Sequence, residues 1–300
     1  MKSTMITLLF TTLLLSSCSS HNLRSPAQLN KPLSCKEAVQ FFFSQSKRDL
    51  YDRFVGKLHT SQIIDTEIFK LQGRKVSAIE EVLETAAIKE IDLTALGNSG
   101  STKPTLVILS DGTKAVWKPH KRIKLSNYRA EVLAYELDVK FGFGLVPPTV
   151  VRTIDGDIGS LQLFKEGTAG VLLKYHRDNE LLKNPTRLEL DLKKQTLFDY
   201  LLLNNDRNVN NYLFDSESRI ISIDNASSFT GHGYKKVSLK TSENKIKDFL
   251  NTKEGQKILL NLKKSLTIEF EEEVISYLGH ADASLFFERI NHVIALANDH

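Results

Sequence analysis

The sequence predicts an α+β fold in which a β-rich part comes first and a mainly helical part follows. Three observations predict it. Residues 105–109 and 114–117 are short β-prone runs on either side of an Asp111-Gly112 turn, the pattern of a hairpin. Residues 243–250, 254–264, 268–278 and 283–297 read as amphipathic helices separated by Gly, Asn and Asp signals. Between these parts, an apolar helical run over 196–203 ends in a turn crowded with Asn and Asp, and the short runs NYLF and RIISI flank the turn DSES. A chain of 300 residues, 41% hydrophobic and 25% charged, can bury a core and fits one two-lobed domain or two small ones.

Taken in order, Lys2 precedes an apolar run from Ile6 to Leu15, too short to span a bilayer, and small residues follow, which is the layout of a secretory signal. Leu15-Ser16-Ser17-Cys18 resembles a bacterial lipobox. The resemblance implies that residues 1–17 are a signal peptide. It also implies that Cys18 carries diacylglycerol on its sulfur and a fatty acyl chain such as palmitate on the new amino terminus. Several chains together anchor stably where one would not. Ser19 after the Cys, rather than Asp, favours by the same resemblance the outer membrane of a bacterial envelope. Residues 18–34 are polar, with two Pro and several Ser and Asn, and read as a flexible tether; the folded part is expected over 35–300. Only Cys18 and Cys35 exist, so lipidation of the first leaves no intramolecular disulfide, and eight scattered His offer no zinc-ligand spacing. The net charge of +4, on 40 basic and 36 acidic residues without a basic stripe, implies no nucleic-acid partner but leaves room for an anionic ligand pocket.

In the folded part, residues 36–54 carry an imperfect helical stripe, and 77–88 a better one opened by Ser77 and Glu80 in a capping-box pattern. Gly97 and Gly100 precede the hairpin. With Ser101 and Thr102 they can close backbone N–H groups and hydroxyls over phosphates, or form a plain loop. The second strand ends in Ala115-Val116-Trp117-Lys118-Pro119. A Lys flanked by apolar residues on a buried strand needs an anionic partner, either a phosphate or Glu131, one turn into the helix expected over 127–141; the alternative is a surface Lys on an edge strand. A strand follows over 158–164, containing Gln162. The charged stretch 174–187 either shapes an acceptor pocket or is a solvated insertion.

Asp206 and Asn211 then lie on the loop before the last hairpin, and Asp224 at its end. Carboxylate and amide oxygens are hard ligands that suit Mg²⁺ or Mn²⁺, which is usually held by one or two carboxylates plus substrate phosphates. The order of parts is what phosphoryl transfer requires: Asp206 to orient an acceptor hydroxyl and take its proton, Asn211 and Asp224 to hold metal on a nucleotide. Asn and Asp are also the commonest turn formers, so a decorated hairpin is the competing explanation.

The motifs DRNVNN and IISIDNASSF resemble the DRHxxN and IDNGxxF signatures of the secretory-pathway, casein-kinase-like atypical kinases, distant relatives of the phosphatidylinositol kinase and HipA-type kinase folds. VWKP, followed by AEVLAYELDVKFGFGLVPPTVV, is similar to the same family's FKP strand and AExAAxxLDxxLGFxxVPPTV segment. The resemblance covers about residues 95 to 230, in the family's order. It implies a two-lobed atypical-kinase-like fold, with a β-rich small lobe over 35–165 and a mainly helical large lobe over 166–300. It further implies a Lys118–Glu131 ion pair, Gly100 and Ser101 over the phosphates, and Gln162 beside the hinge where adenine binds. The activity implied is transfer of the γ-phosphate of ATP, with Mg²⁺ or Mn²⁺, to a hydroxyl of a protein or glycan, with Asp206 catalytic and Asn211 and Asp224 on metal. Asn208 stands where the family has His and Ala226 where it has Gly, where a shifted metal ligand is expected. ATP is scarce outside a bacterial inner membrane. Either the site meets ATP inside a host or prey cell, or another phosphoryl donor is used, or the protein is an inactive kinase-like binding module; a nucleotidyl transferase is the further alternative.

Overall fold

The computed structural model describes residues 70–94, 96, 104–120, 127–174, 182–204, 206–229 and 239–298, all within the compact unit spanning Gln62–His300. The signal stretch, Cys18, the tether, the helix expected over 36–54, and Gly97, Gly100, Ser101 and Thr102 lie outside the described residues. The described chain is a mixed α+β structure with a five-stranded antiparallel sheet, a second three-stranded sheet and seven α-helices. Among the described residues no helix is long and apolar enough to cross a membrane.

The first helix, α1 (Ala78–Thr85), starts where the capping box places it: the Ser77 hydroxyl accepts from the Glu80 N–H, and the Glu80 carboxylate accepts from the Ser77 N–H. It stops at Thr85, short of Ile88, because Ile88–Asp92 forms an edge strand, β1, paired with β2 (Thr105–Leu109). The helix expected to run to Ile88 is thus corrected: the β-branched residues are drawn into the sheet ladder, which satisfies their backbone groups. β2 and β3 (Lys114–Pro119) make the expected hairpin, whose Gly112 takes φ 89°, a conformation open to glycine at no steric cost. β4 (Thr149–Ile154) and β5 (Asp157–Leu163) complete the sheet in the order β1-β2-β3-β5-β4.

Period-two alternation divides β3 between two environments. Ala115 and Trp117 join Leu83, Val107, Leu109, Val150, Ile154 and Leu161 in a core under α1. Val116 and Lys118 project from the other face, and β5 sets Gln162 opposite Val116 and Ser160 opposite Lys118. Gly159 lets the two strands close up here, since a Cβ would lie 2.3 Å from the Lys118 carbonyl oxygen and 2.6 Å from the Trp117 ring.

Helix α2 (Tyr128–Phe141) starts at Asn127, whose Oδ1 accepts from the N–H groups of Arg129 and Ala130, and ends at Gly142 with φ 77°. It is buried nearly all round, its Glu131, Glu136 and Asp138 carboxylates included. It packs against β4 and β5 as well as the later helix over Lys253–Ser265, and it shares a second, larger core with the helical part. On α2, Glu136 binds the Arg74 guanidinium and the Leu71 N–H, which fastens residues 71–74 to the helix. One turn from the end, the buried Asp138 carboxylate accepts N–H bonds from Gly144, Leu145 and Val146, shaping the bend into Pro147-Pro148.

The next elements are β6 (Thr168–Ala169), a 3₁₀ turn over Gly170–Lys174, and α3 (Pro185–Leu202). α3 begins at Pro185 rather than near Thr196, on an Asn184 cap with Pro in the first turn, so the end of the charged stretch is helical, with Lys183, Asn184, Pro185 and Thr186 exposed. Its Arg187, Asp191 and Lys194 form an ion network with Glu254 in which Asp191 and Lys194 are buried. β7 (Tyr212–Phe214) and β8 (Ile220–Ser222) form the last hairpin. α4 (Leu239–Leu250), α5 (Lys253–Ser265), α6 (Ile268–Leu278) and α7 (His280–Asn298) follow, each spanning one of the four segments expected to be helical. Their Phe249, Ile258, Leu262, Phe270, Val274 and Phe286 join Phe141 and Phe198 in the larger core.

Candidate functional site

Lys118, Glu131 and Asp224 meet. The Lys118 ammonium donates to Glu131 Oε1 in a short contact and to Asp224 Oδ1 at 3.1 Å, while Glu131 Oε2 accepts the Asn225 N–H at 3.0 Å. One carboxylate thus ties β3 to the loop after β8. Burial alone would lower the Lys118 pKa, and the Glu131 and Asp224 charges more than offset it, so the ammonium is held charged above its ordinary range. Glu131 is 2% exposed, whereas the Asp224 side chain is 41% exposed and open to a ligand.

Asp224 has φ 57°, in the left-handed region that a non-glycine residue occupies at a cost. Lys118 on its side chain and Glu131 on the next N–H hold it there. Ala226, expected from its place in the motif to disturb the metal ligand, is buried and is not among the residues with positive φ. The positive φ falls at Asp224 instead.

The loop after α3 is built from its own side chains. Asn204 Oδ1 accepts the Asp206 N–H at 3.1 Å, and the Asp206 carbonyl accepts from Asn211 Nδ2 at 2.8 Å and Asn208 Nδ2 at 3.1 Å. With its nitrogen committed, Asn211 keeps its oxygen for a ligand. The Asp206 residue is exposed, the position a group acting on an incoming substrate needs.

Arg207 is the residue of this cluster that reading the sequence missed. It donates through Nε to both oxygens of Asp199 at 3.1 Å, through one terminal nitrogen to the carbonyls of Asn211 and Ile223, and through the other to Asn225 Oδ1 at 2.6 Å. It joins the helix, the Asp206–Asn211 loop and the Asp224–Asn225 loop. Burial raises the Asp199 pKa, against the pull of Arg207, so the acid depends on this one cation. The signal was present: a lone Asp in the apolar run LFDYLLL requires a partner, and Arg207 is the nearest cation that follows.

A cavity of about 480 Å³ collects these groups. Val116, Lys118 and Gln162 from the sheet, Leu213 from the hairpin, and Asn211 and Asp224 from the loops all line it. Leu96 and Pro104, on either side of the glycine-bearing segment, reach it as well, whereas Gly100 and Ser101 lie outside the described residues. Asp206 is not part of the lining and joins the site through its carbonyl bond to Asn211. Among the described residues no group of three or more His, Cys, Asp or Glu is poised for a metal; the candidate donors are one carboxylate and one amide. That set suits a hard cation that takes its remaining oxygens from a phosphate ligand and water. A scan against protein-family models and a search of curated proteins returned no match.

Proposed function

We propose that the chain is a metal-dependent phosphotransferase that moves the γ-phosphate of ATP to a hydroxyl of a protein or glycan. The proposal includes a two-lobed, atypical-protein-kinase-like arrangement and a lipid anchor at Cys18 in a bacterial envelope. One observation carries the reading: a buried ammonium, held between a buried carboxylate and a half-exposed one, lines a cavity of about 480 Å³ that also presents an amide oxygen donor. A purely structural ion pair has no need of a cavity, and 480 Å³ falls in the size range of small-ligand sites.

In this reading Asn211 and Asp224 hold Mg²⁺ or Mn²⁺, which supplies charge neutralisation on the phosphates when bound. Lys118 binds phosphate oxygen as a point charge, and Glu131 fixes its direction. Because Glu131 also holds the Asn225 N–H, the cation and the metal ligand keep their spacing as one unit. Asp206, exposed and tethered through its carbonyl, accepts the proton of the acceptor hydroxyl.

The test uses the full chain in detergent with γ-labelled and α-labelled ATP and either metal. Wild type should transfer the γ-label. Asp206→Asn should keep thermal stabilisation by ATP and metal but lose transfer, since an amide cannot take the proton; Asp224→Asn should lose both. Transfer of the α-label would make the protein a nucleotidyl transferase, and stabilisation without transfer under either metal would make it a binding module.

A further inference from the structure

Gln162 is a polar side chain, 5% exposed, on the wall of the cavity. Its neighbour across the sheet is Thr149 on β4, itself buried. Gln162 Nε2 lies 2.9 Å from Thr149 Oγ1, and Thr149 Oγ1 lies 2.8 Å from the Pro147 carbonyl oxygen.

These two contacts fix the orientation of the amide. A peptide carbonyl can only accept, so the single hydrogen of the Thr149 hydroxyl goes to Pro147. The group facing the hydroxyl oxygen must then be a donor, which is Nε2. Oε1 is left as the end presented to the cavity, and among the described residues no donor reaches it. Once a ligand fills the cavity and excludes water, an amide oxygen left without a donor is costly, and a ligand that supplies one avoids that cost.

We propose that Gln162 Oε1 selects the base of the bound nucleotide by accepting from an exocyclic amino group, as on adenine, and that Thr149 sets this preference by locking the amide. The inference rests on the phosphotransferase reading of the same cavity. A 6-oxo purine would set carbonyl oxygen against amide oxygen, and neither could reorient while Thr149 holds Nε2. Val116, in register with Gln162 and lining the same cavity, supplies apolar surface beside this acceptor for the face of a base.

The experiment measures binding, so it does not depend on turnover. ATP and ITP, which differ at the 6-position and its adjacent ring nitrogen, are titrated with Mg²⁺ into the full chain in detergent. Wild type should bind ATP about tenfold or more tightly than ITP, the scale expected when one buried acceptor is left facing another. Gln162→Met should bring the two affinities within about threefold of each other. Thr149→Val keeps Gln162 and nearly the same volume but frees the amide to rotate, so the ATP-to-ITP ratio should fall several-fold while ATP still binds. A purely structural role for Thr149 would weaken both nucleotides alike and leave the ratio unchanged. A wild-type ratio near one, or a ratio unchanged in both variants, overturns the selection by Gln162 and leaves the transfer reading standing. Failure of a cooperatively unfolding wild type to bind either nucleotide overturns both.

Discussion

Replacing Lys118 with Met, Glu131 with Gln, and then both together measures how strongly the ion pair is coupled, and the structure fixes the sign of each step. Lys118→Met leaves a carboxylate that is 2% exposed with only the Asn225 N–H, a stranded buried charge worth about 3–5 kcal/mol of lost stability. Glu131→Gln is milder, because Lys118 keeps Asp224 at 3.1 Å, but the amide accepts on one side only, so either Lys118 or the Asn225 N–H meets a donor; about 2–3 kcal/mol follows. The double variant strands no charge and should cost about as much as Glu131→Gln alone, which makes the coupling equal to the Lys118→Met loss, about 3–5 kcal/mol. Thermal unfolding of the ligand-free chain reads this directly, at roughly 2–4 °C per kcal/mol. The double variant should therefore unfold well above the temperature that the two single losses sum to. Additivity within about 0.5 kcal/mol would show that the pair is not coupled in solution, and the account of Lys118 would fail with it.

Arg207→Lys should destabilise by about 3 kcal/mol or more, since one ammonium cannot serve five acceptors on three segments; a loss under about 1 kcal/mol would contradict its bridging role. Ala226→Gly should neither create nor increase transfer and should lower stability by about 0.4–1 kcal/mol through the freer unfolded chain, because the positive φ lies at Asp224; restored activity would place the strain at 226 after all. Burial pushes the Asp138 carboxyl from an ordinary 3.8 up to about 7, against the three N–H groups that favour its anion. The folded chain therefore holds a proton there that the unfolded chain releases, and stability rises as pH falls from about 7 toward 3.8. Relative to Asp138→Asn, wild type should gain up to about 4 kcal/mol between pH 8 and pH 4, and a pH-independent difference would refute the raised value.

What could be read from the sequence follows from how each element meets water. The β2–β3 hairpin was legible because alternation and an Asp-Gly turn are local, and α6 because one face is exposed. β1, with Lys89 and Glu90 on an exposed edge, carries no alternation to detect. The start of α3 was missed because much of the helix is buried, which erases the stripe, although Asn184 and Pro185 stood ready to mark it. Lys118 could be picked out as needing an anionic partner and Glu131 as one candidate, but their meeting depends on how α2 lies across the sheet, which no local spacing fixes. The short-range part of the loop network, Asn204 to Asp206 to Asn211, lies within the reach of neighbouring turn residues. Arg207 reaches five acceptors on three segments, and no spacing rule encodes that.

The fastening of residues 71–74 to α2 has a mechanical side. Glu136 grips Arg74 and the Leu71 N–H on the helix that also carries Glu131. Lys70 pairs with Glu84 on α1 and the Gln72 N–H with Glu273 on α6, so tension arriving along the chain from the N-terminal side is shared among α1, α2 and α6. A pull on that end in a single-molecule trap would load these grips before the sheet, and the first event in the force record would be release of residues 70–74 rather than loss of the helical core.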